Sequence, residues 1–169
     1  KFLLSLFPDN ENKNLEDIMR KIFLLLSGAM MFITMGCQKG TQKVKLITLD
    51  PGHFHAALVQ MYMYDQVSPT VYVYAPEGDD VKMHLEKIDR YNTRAERPTS
   101  WDEQLYTGDD FLGKMVQEKK GNVVVLAGNN GKKTGYVKAS VDAGLNVLSD
   151  KPMAINGKSF KQLEKTLDD

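Results

Sequence analysis

The stretch Asn122–Gly128, NVVVLAG, constrains the fold more than any other part of this 169-residue chain. Its apolar residues are consecutive rather than alternating, so a strand built from them has no face to offer water. Such a strand must be covered on both sides, as in the interior of a parallel sheet flanked by helices. Three further stretches read as strands. Val44–Leu49 is a β-branched and apolar run that ends at Asp50-Pro51-Gly52. TVYVYAP starts at Thr70 and is stopped by Pro76, and LNVLSDKP, from Leu145, is a strand with its exit loop.

Between these runs the apolar period changes from strand-like to helical. Phe54, Ala57, Leu58 and Met61 predict a helix from near His53, broken at Ser68-Pro69. Val81, Leu85 and Ile88 predict a second helix ending near Tyr91, and Phe111, Leu112, Met115 and Val116 a third. Val137 and Val141 share one side of a fourth, which Gly144 terminates. Phe160, Leu163 and Leu167 mark a last one, and the polar connection 90–110 has room for a short edge strand. Strands alternating with helices predict a Rossmann-type α/β domain, a doubly wound parallel sheet with helices on both faces. Ligands bind such sheets beyond the carboxyl ends of the strands, here residues 50–55, 75–78, 127–133 and 149–153.

The formal net charge of zero argues against a broad basic face for nucleic acid, and the single cysteine, Cys37, allows no internal disulfide. Residues 1–18 form a polar segment without a clear element. Residues 19–37, MRKIFLLLSGAMMFITMGC, have a basic start and an apolar run too short to span a bilayer comfortably, which suits a secretory signal. Thr34-Met35-Gly36-Cys37 resembles the lipobox of bacterial lipoproteins. That resemblance implies an exported protein whose mature chain starts at a lipidated Cys37 and is anchored to a membrane, periplasmic or at the cell surface. Residues 38–42 are then a linker, and 43–169 the α/β domain, with the next region starting near 155. Both ends of the chain look cut, so a second domain is expected beyond Asp169.

Residues 123–154 carry a more specific pattern. Ala127-Gly128-Asn129-Asn130 follows the apolar strand, Ala143-Gly144 ends the next helix, and Asp150-Lys151-Pro152 follows the next strand. Strand, loop, helix, glycine stop, strand and D-K-P in this register resemble the Gfo/Idh/MocA oxidoreductase family, over about Lys43–Ala154. The resemblance implies an enzyme using NAD (or NADP) on a sugar or sugar derivative, homo-oligomeric in its full-length form. It places Lys151 near the reacting carbon, where a cation stabilises charge on a substrate oxygen. It places Ala127, Gly128, Asn129, Asn130, Asp150 and Pro152 around the cofactor. Asp150 stands for the family's glutamate and Lys133 for a frequent histidine. Alone, D-K-P is also what a solvated surface loop looks like, and N-N-G is ordinary turn chemistry.

The first strand exit is less regular. Gly52, followed by His53 and Phe54, stands where a glycine-rich phosphate loop would be, with backbone N–H groups at a helix start as the cofactor contact. His53 and His55 raise the alternative of a metal site, but two residues apart at a helix start they are expected to point to different sides. No metal site is therefore expected. Glu77, at the second strand exit, is either the acceptor for ribose hydroxyls that favours NAD or a turn glutamate in PEGDD. Two functions remain open. One is an exported oxidoreductase, which away from free NAD would suit a redox-neutral, glycosidase-type cycle. The other is a surface-anchored Rossmann scaffold that has lost its cofactor and binds a carbohydrate or a partner.

Overall fold

The computed structural model describes residues 43–168. The signal-like segment with Cys37 and the linker lie outside these residues. The sheet has five parallel strands, β1 Leu46–Leu49, β2 Thr70–Ala75, β3 Asp102–Thr107, β4 Val123–Leu126 and β5 Asn146–Ser149, in the order β3-β2-β1-β4-β5. The helices are α1 His55–Leu58, α2 Asp79–Thr93, α3 Phe111–Glu118, α4 Asn130–Asp142 and α5 Gly157–Asp168. None of the described helices is long and apolar enough to cross a membrane. The expected doubly wound sheet is thus present, and the polar connection supplies its edge strand β3, in register with β2 from Thr70↔Asp102 to Ala75↔Thr107.

Alternate residues of each central strand feed opposite cores. Ile47, Leu49, Val124 and Leu126 pack with Phe111 and Met115 of α3, Tyr136 and Val137 of α4, and Leu163 of α5. Leu46, Val71 and Val125 pack on the other face with Ala57 of α1, Ile88 of α2 and Trp101. Because both neighbours of β1 are parallel strands, residues 46–49 are buried without interruption, the pattern that apolar continuity predicts.

The first helix departs from expectation. It is one turn long, with Ala56 and Ala57 buried, while Phe54 and Leu58 are 51% and 38% exposed. The physical reason lies in distant donors. The Trp101 indole Nε1–H donates to the Gln60 carbonyl at 2.6 Å, and the Arg94 guanidinium to the Met61 carbonyl at 2.5 Å. Those carbonyls are satisfied from side chains 41 and 33 residues away. Continuing the helix would bring them no further hydrogen bond to offset its entropy cost.

Candidate functional site

Three strand exits meet beside the β1/β4 boundary, where the strand order reverses. Asp50 follows β1 in a left-handed conformation, φ 45°, and is buried. Its carboxylate accepts the Tyr136 hydroxyl at 2.6 Å and faces the Lys132 ammonium at 3.5 Å. Its carbonyl accepts the Asn129 side-chain amide at 3.0 Å. The Gly52 N–H donates to the Ala127 carbonyl, also at 3.0 Å. The β1 and β4 exits are therefore stitched directly together. Gly128, at φ 89°, lies so close that a Cβ there would sit 2.4 Å from the Gly52 carbonyl carbon and 2.7 Å from the His53 nitrogen. On the other loop, a Cβ at Gly52 would sit 2.8 Å from the Asn129 Nδ2. Gly52, expected to admit a phosphate, thus admits the neighbouring β4 exit loop instead.

Asp150, at the exit of β5, is the centre of the polar arrangement. Its backbone N–H donates to the Leu126 carbonyl at 3.0 Å, continuing the β4–β5 ladder by one residue. Its carboxylate takes the Lys133 ammonium on Oδ1 and the His55 ring Nδ1 on Oδ2 at 3.3 Å. Burial alone would raise the Asp150 pKa. The Lys133 ammonium and the His55 and Gly128 hydrogen bonds outweigh it and hold the carboxyl below its ordinary range. Lys133 is 0% exposed, and its ammonium also reaches the Asp150 carbonyl at 3.2 Å. A buried ammonium without such partners would be costly, so the pair holds the first turn of α4 against the β5 exit.

Lys151 and Pro152 are exposed and joined by a cis peptide, and the Thr134 hydroxyl donates to the Met153 carbonyl just beyond them at 2.7 Å. Among the described residues Lys151 makes no ion pair. A cation thus stands in solvent beside the half-buried Asp150. Asn130 opens α4, whose N-terminus carries no side-chain cap. Glu77 lies apart from this cluster, exposed at the β2 exit, in a cleft of about 260 Å³ that it shares with Asp50, Asp79 and Asp80.

A second cleft, of about 310 Å³, opens between the His53–Phe54 turn and α2, lined also by Met83, His84 and Lys87. His84 is 5% exposed, its Nε2 has no partner, and burial pushes its pKa down to about 4. On the same side of the sheet, Gln60 donates to Glu103. Burial, partly offset by that hydrogen bond and helped by Asp102, pushes the Glu103 carboxyl up to about 7. The two groups tilt stability in opposite directions. Glu103 binds a proton on folding between its unfolded and folded pKa values, so its contribution weakens as pH rises from about 4.5 to about 7. The His84 contribution weakens as pH falls from about 6.5 to about 4, because only the unfolded chain takes up the proton. The Glu103→Gln variant should gain on the order of 1–3 kcal/mol over the parent at pH 8, and lose that advantage by pH 4.5. Urea midpoints at the two pH values measure it, and an equal difference at both would refute the assignment.

Two expectations from the sequence need correction. The α1 helix is a single turn, so it brings little aligned dipole to an anion at its N-terminus. His53 and His55 do not point apart. His53 precedes the helix rather than lying in it, and both rings turn to Asp150, with His53 Nδ1 at 3.9 Å and His55 Nδ1 at 3.3 Å from Oδ2. The helical-spacing argument did not apply to a residue outside the helix. Sequence reasoning gave Lys133 no role beyond a mismatch to the family pattern, and passed over Tyr136 and His84 as site residues. The signal of those two was polarity at inward positions of otherwise regular helices.

No protein-family model and no curated protein matches the chain. Solved structures do. A protein of Parabacteroides merdae with the provisional description oxidoreductase is 66% identical over 75% of this chain and 29% of its own, with a TM-score of 0.74. The WlbA dehydrogenase of Chromobacterium violaceum, solved with NADH and UDP-GlcNAcA, is 17% identical over 75% of this chain and 32% of its own, TM-score 0.51. The myo-inositol 2-dehydrogenase of Lactobacillus plantarum is 12% identical over 75% and 33%, TM-score 0.50. The chain thus spans about a third or less of the length of the structures it matches. These neighbours are oxidoreductases of the Gfo/Idh/MocA type, and this chain carries the Rossmann domain with which they begin.

Proposed function

We propose that this chain is the dinucleotide-binding domain of an oxidoreductase that acts on a sugar-like substrate, with NAD preferred over NADP. The observation that carries the reading is the convergence of Gly52, Gly128, Asp150 and Lys151 at the carboxyl ends of β1, β4 and β5. The residues present fit such a cofactor in part. Asn129, Asn130 and the uncapped start of the 13-residue α4 offer polar groups at the reversal point of the strand order. The acidic β2 exit, with Glu77, Asp79 and Asp80, suits ribose hydroxyls and repels a 2′-phosphate. The one-turn α1 and the Asn129 side chain over Gly52 make the pyrophosphate end poorer than a glycine-rich loop.

A bound nicotinamide supplies the hydride acceptor. The chain itself contributes the Lys151 ammonium, which stabilises negative charge developing on a substrate oxygen. Asp150, Lys133 and His55 hold the loop that carries Lys151 in place. A redox-neutral, glycosidase-type cycle is the finer form of this proposal, because a lipoprotein-like signal at residues 19–37 points to export, away from a renewable NAD pool. The tight packing over Gly52 favours a second reading, a scaffold that no longer takes a dinucleotide. One titration separates them. NADH fluorescence, measured on a chain extended to the length of the relatives, should report saturable binding, at least about tenfold tighter than NADPH. No binding of either nucleotide at millimolar concentration would sink the oxidoreductase reading and leave the scaffold.

A further inference from the structure

We propose that His53, His55 and Asp150 form a binding site for a divalent transition-metal cation such as Zn²⁺ or Co²⁺. One ligand atom from each lies within 4.8 Å of the others, although the histidines and the aspartate come from segments some 95 residues apart. For metal–ligand bonds of about 2.0–2.1 Å in tetrahedral geometry, neighbouring donor atoms stand roughly 3.3–3.4 Å apart. The His55 Nδ1 to Asp150 Oδ2 separation, 3.3 Å, already has that value. The His53 Nδ1 to Oδ2 separation, 3.9 Å, closes with a small turn of an exposed ring.

The carboxylate is prepared for single-oxygen ligation. Lys133 ties down Asp150, with its ammonium on Oδ1 and on the Asp150 carbonyl, leaving Oδ2 turned to the histidines. Ligating carboxylates are oriented by outer hydrogen bonds of this kind. Two imidazole nitrogens and one carboxylate oxygen select zinc and its first-row neighbours over Mg²⁺ and Ca²⁺, which prefer all-oxygen shells. Both imidazoles are more than 40% exposed while Asp150 is 18% exposed, so the site is open on one side. Three protein donors with open positions match the ligand count of catalytic rather than structural zinc sites. Without a metal, His55 hydrogen-bonds Asp150 and the His53 Nδ1 accepts the His55 backbone N–H at 3.4 Å, a long bond that ligation would replace. The site stands on its own geometry and does not depend on dinucleotide binding.

The test uses this chain stripped with a chelator, with no nucleotide present and with Cys37→Ser in every arm to remove the thiol. Calorimetric titration with Zn²⁺ should show one ion per chain, and Co²⁺ should give the visible ligand-field bands of an imidazole-bound ion. His53→Ala and His55→Ala should each weaken binding at least about tenfold. Their rings are exposed, so circular dichroism should find both variants folded. His84→Gln, which changes the one histidine outside the cluster, should bind as the parent does. Absence of stoichiometric binding, or binding that survives both His53→Ala and His55→Ala, overturns the proposal.

Discussion

Replacing Gly128 by alanine is expected to destabilise the domain by about 2–5 kcal/mol. Roughly 1–2 kcal/mol comes from placing a side chain in the left-handed region, and about 1–3 from forcing a methyl into a packed space. The space here is bounded by backbone, the Gly52 carbonyl carbon at 2.4 Å and the His53 nitrogen at 2.7 Å, so no side-chain rotation can relieve the clash. The two exit loops would have to separate. That would pull the Gly52 N–H from the Ala127 carbonyl and the Asn129 amide from the Asp50 carbonyl. Two neighbouring glycines make the control. Gly144 also has a positive φ, 77°, but open space around its missing Cβ, so Gly144→Ala should cost only the conformational part, about 1–2 kcal/mol. Gly131 lies in the first turn of α4 with open space and no positive φ, so Gly131→Ala should be neutral or stabilising by up to about 1 kcal/mol. Urea denaturation of the three variants ranks them. If Gly128→Ala is no worse than Gly144→Ala, the close approach of the loops is wrong.

The second large effect concerns the Lys133–Asp150 pair, and its signature is asymmetry. Asp150→Asn leaves the Lys133 ammonium, with no exposure at all, facing a neutral amide and one carbonyl. An uncompensated buried charge of that kind costs about 3–5 kcal/mol. Lys133→Met instead leaves Asp150 with the His55 ring and 18% of its side chain still exposed, so about 1–3 kcal/mol is expected. Combining the two changes removes both charges and should be less harmful than Asp150→Asn alone. The double-mutant cycle then returns a coupling of about 1–3 kcal/mol. A strictly additive pair, or a larger loss for Lys133→Met than for Asp150→Asn, would refute the ion pair as the element that docks α4 on the β5 exit.

These positions also show how legibility divides. The strands were readable because burial on both faces leaves a local trace, an apolar run such as Val123–Ala127 that needs no partner to be recognised. The α2 to α5 helices were readable for the same reason, since their inward residues recur every three or four positions. Strand β3 was less visible. Asp102–Thr107 is an edge strand with polar and exposed residues, and its pairing with β2 leaves no apolar signature. The α1 helix misled in the other direction. Phe54, Leu58 and Met61 have helical spacing, but Trp101 and Arg94 cap the carbonyls of Gln60 and Met61 from far along the chain.

At the site the division is sharper. Gly128, Asp150 and Lys151 were picked out by their order around a strand–helix–strand unit, and the fold brings the β4 and β5 exits that carry them side by side. Lys133 carried only a mismatch to a family pattern, because nothing in a sequence states that a lysine is wholly buried. His53 and His55 were set aside by a helical argument that fails once the helix starts at His55.

The sequence by itself determined the alternation of strands and helices, and with it a parallel sheet whose exits gather on one edge. Periodicity and turn chemistry act over a few residues, so they survive in one dimension. Only the tertiary structure decided that Gly52 and Gly128 touch, that Lys133 is buried on Asp150, and that two histidines turn to the same carboxylate. Those contacts join residues 17 to 97 positions apart. Their formation depends on where the sheet places its edges rather than on any local preference of the chain.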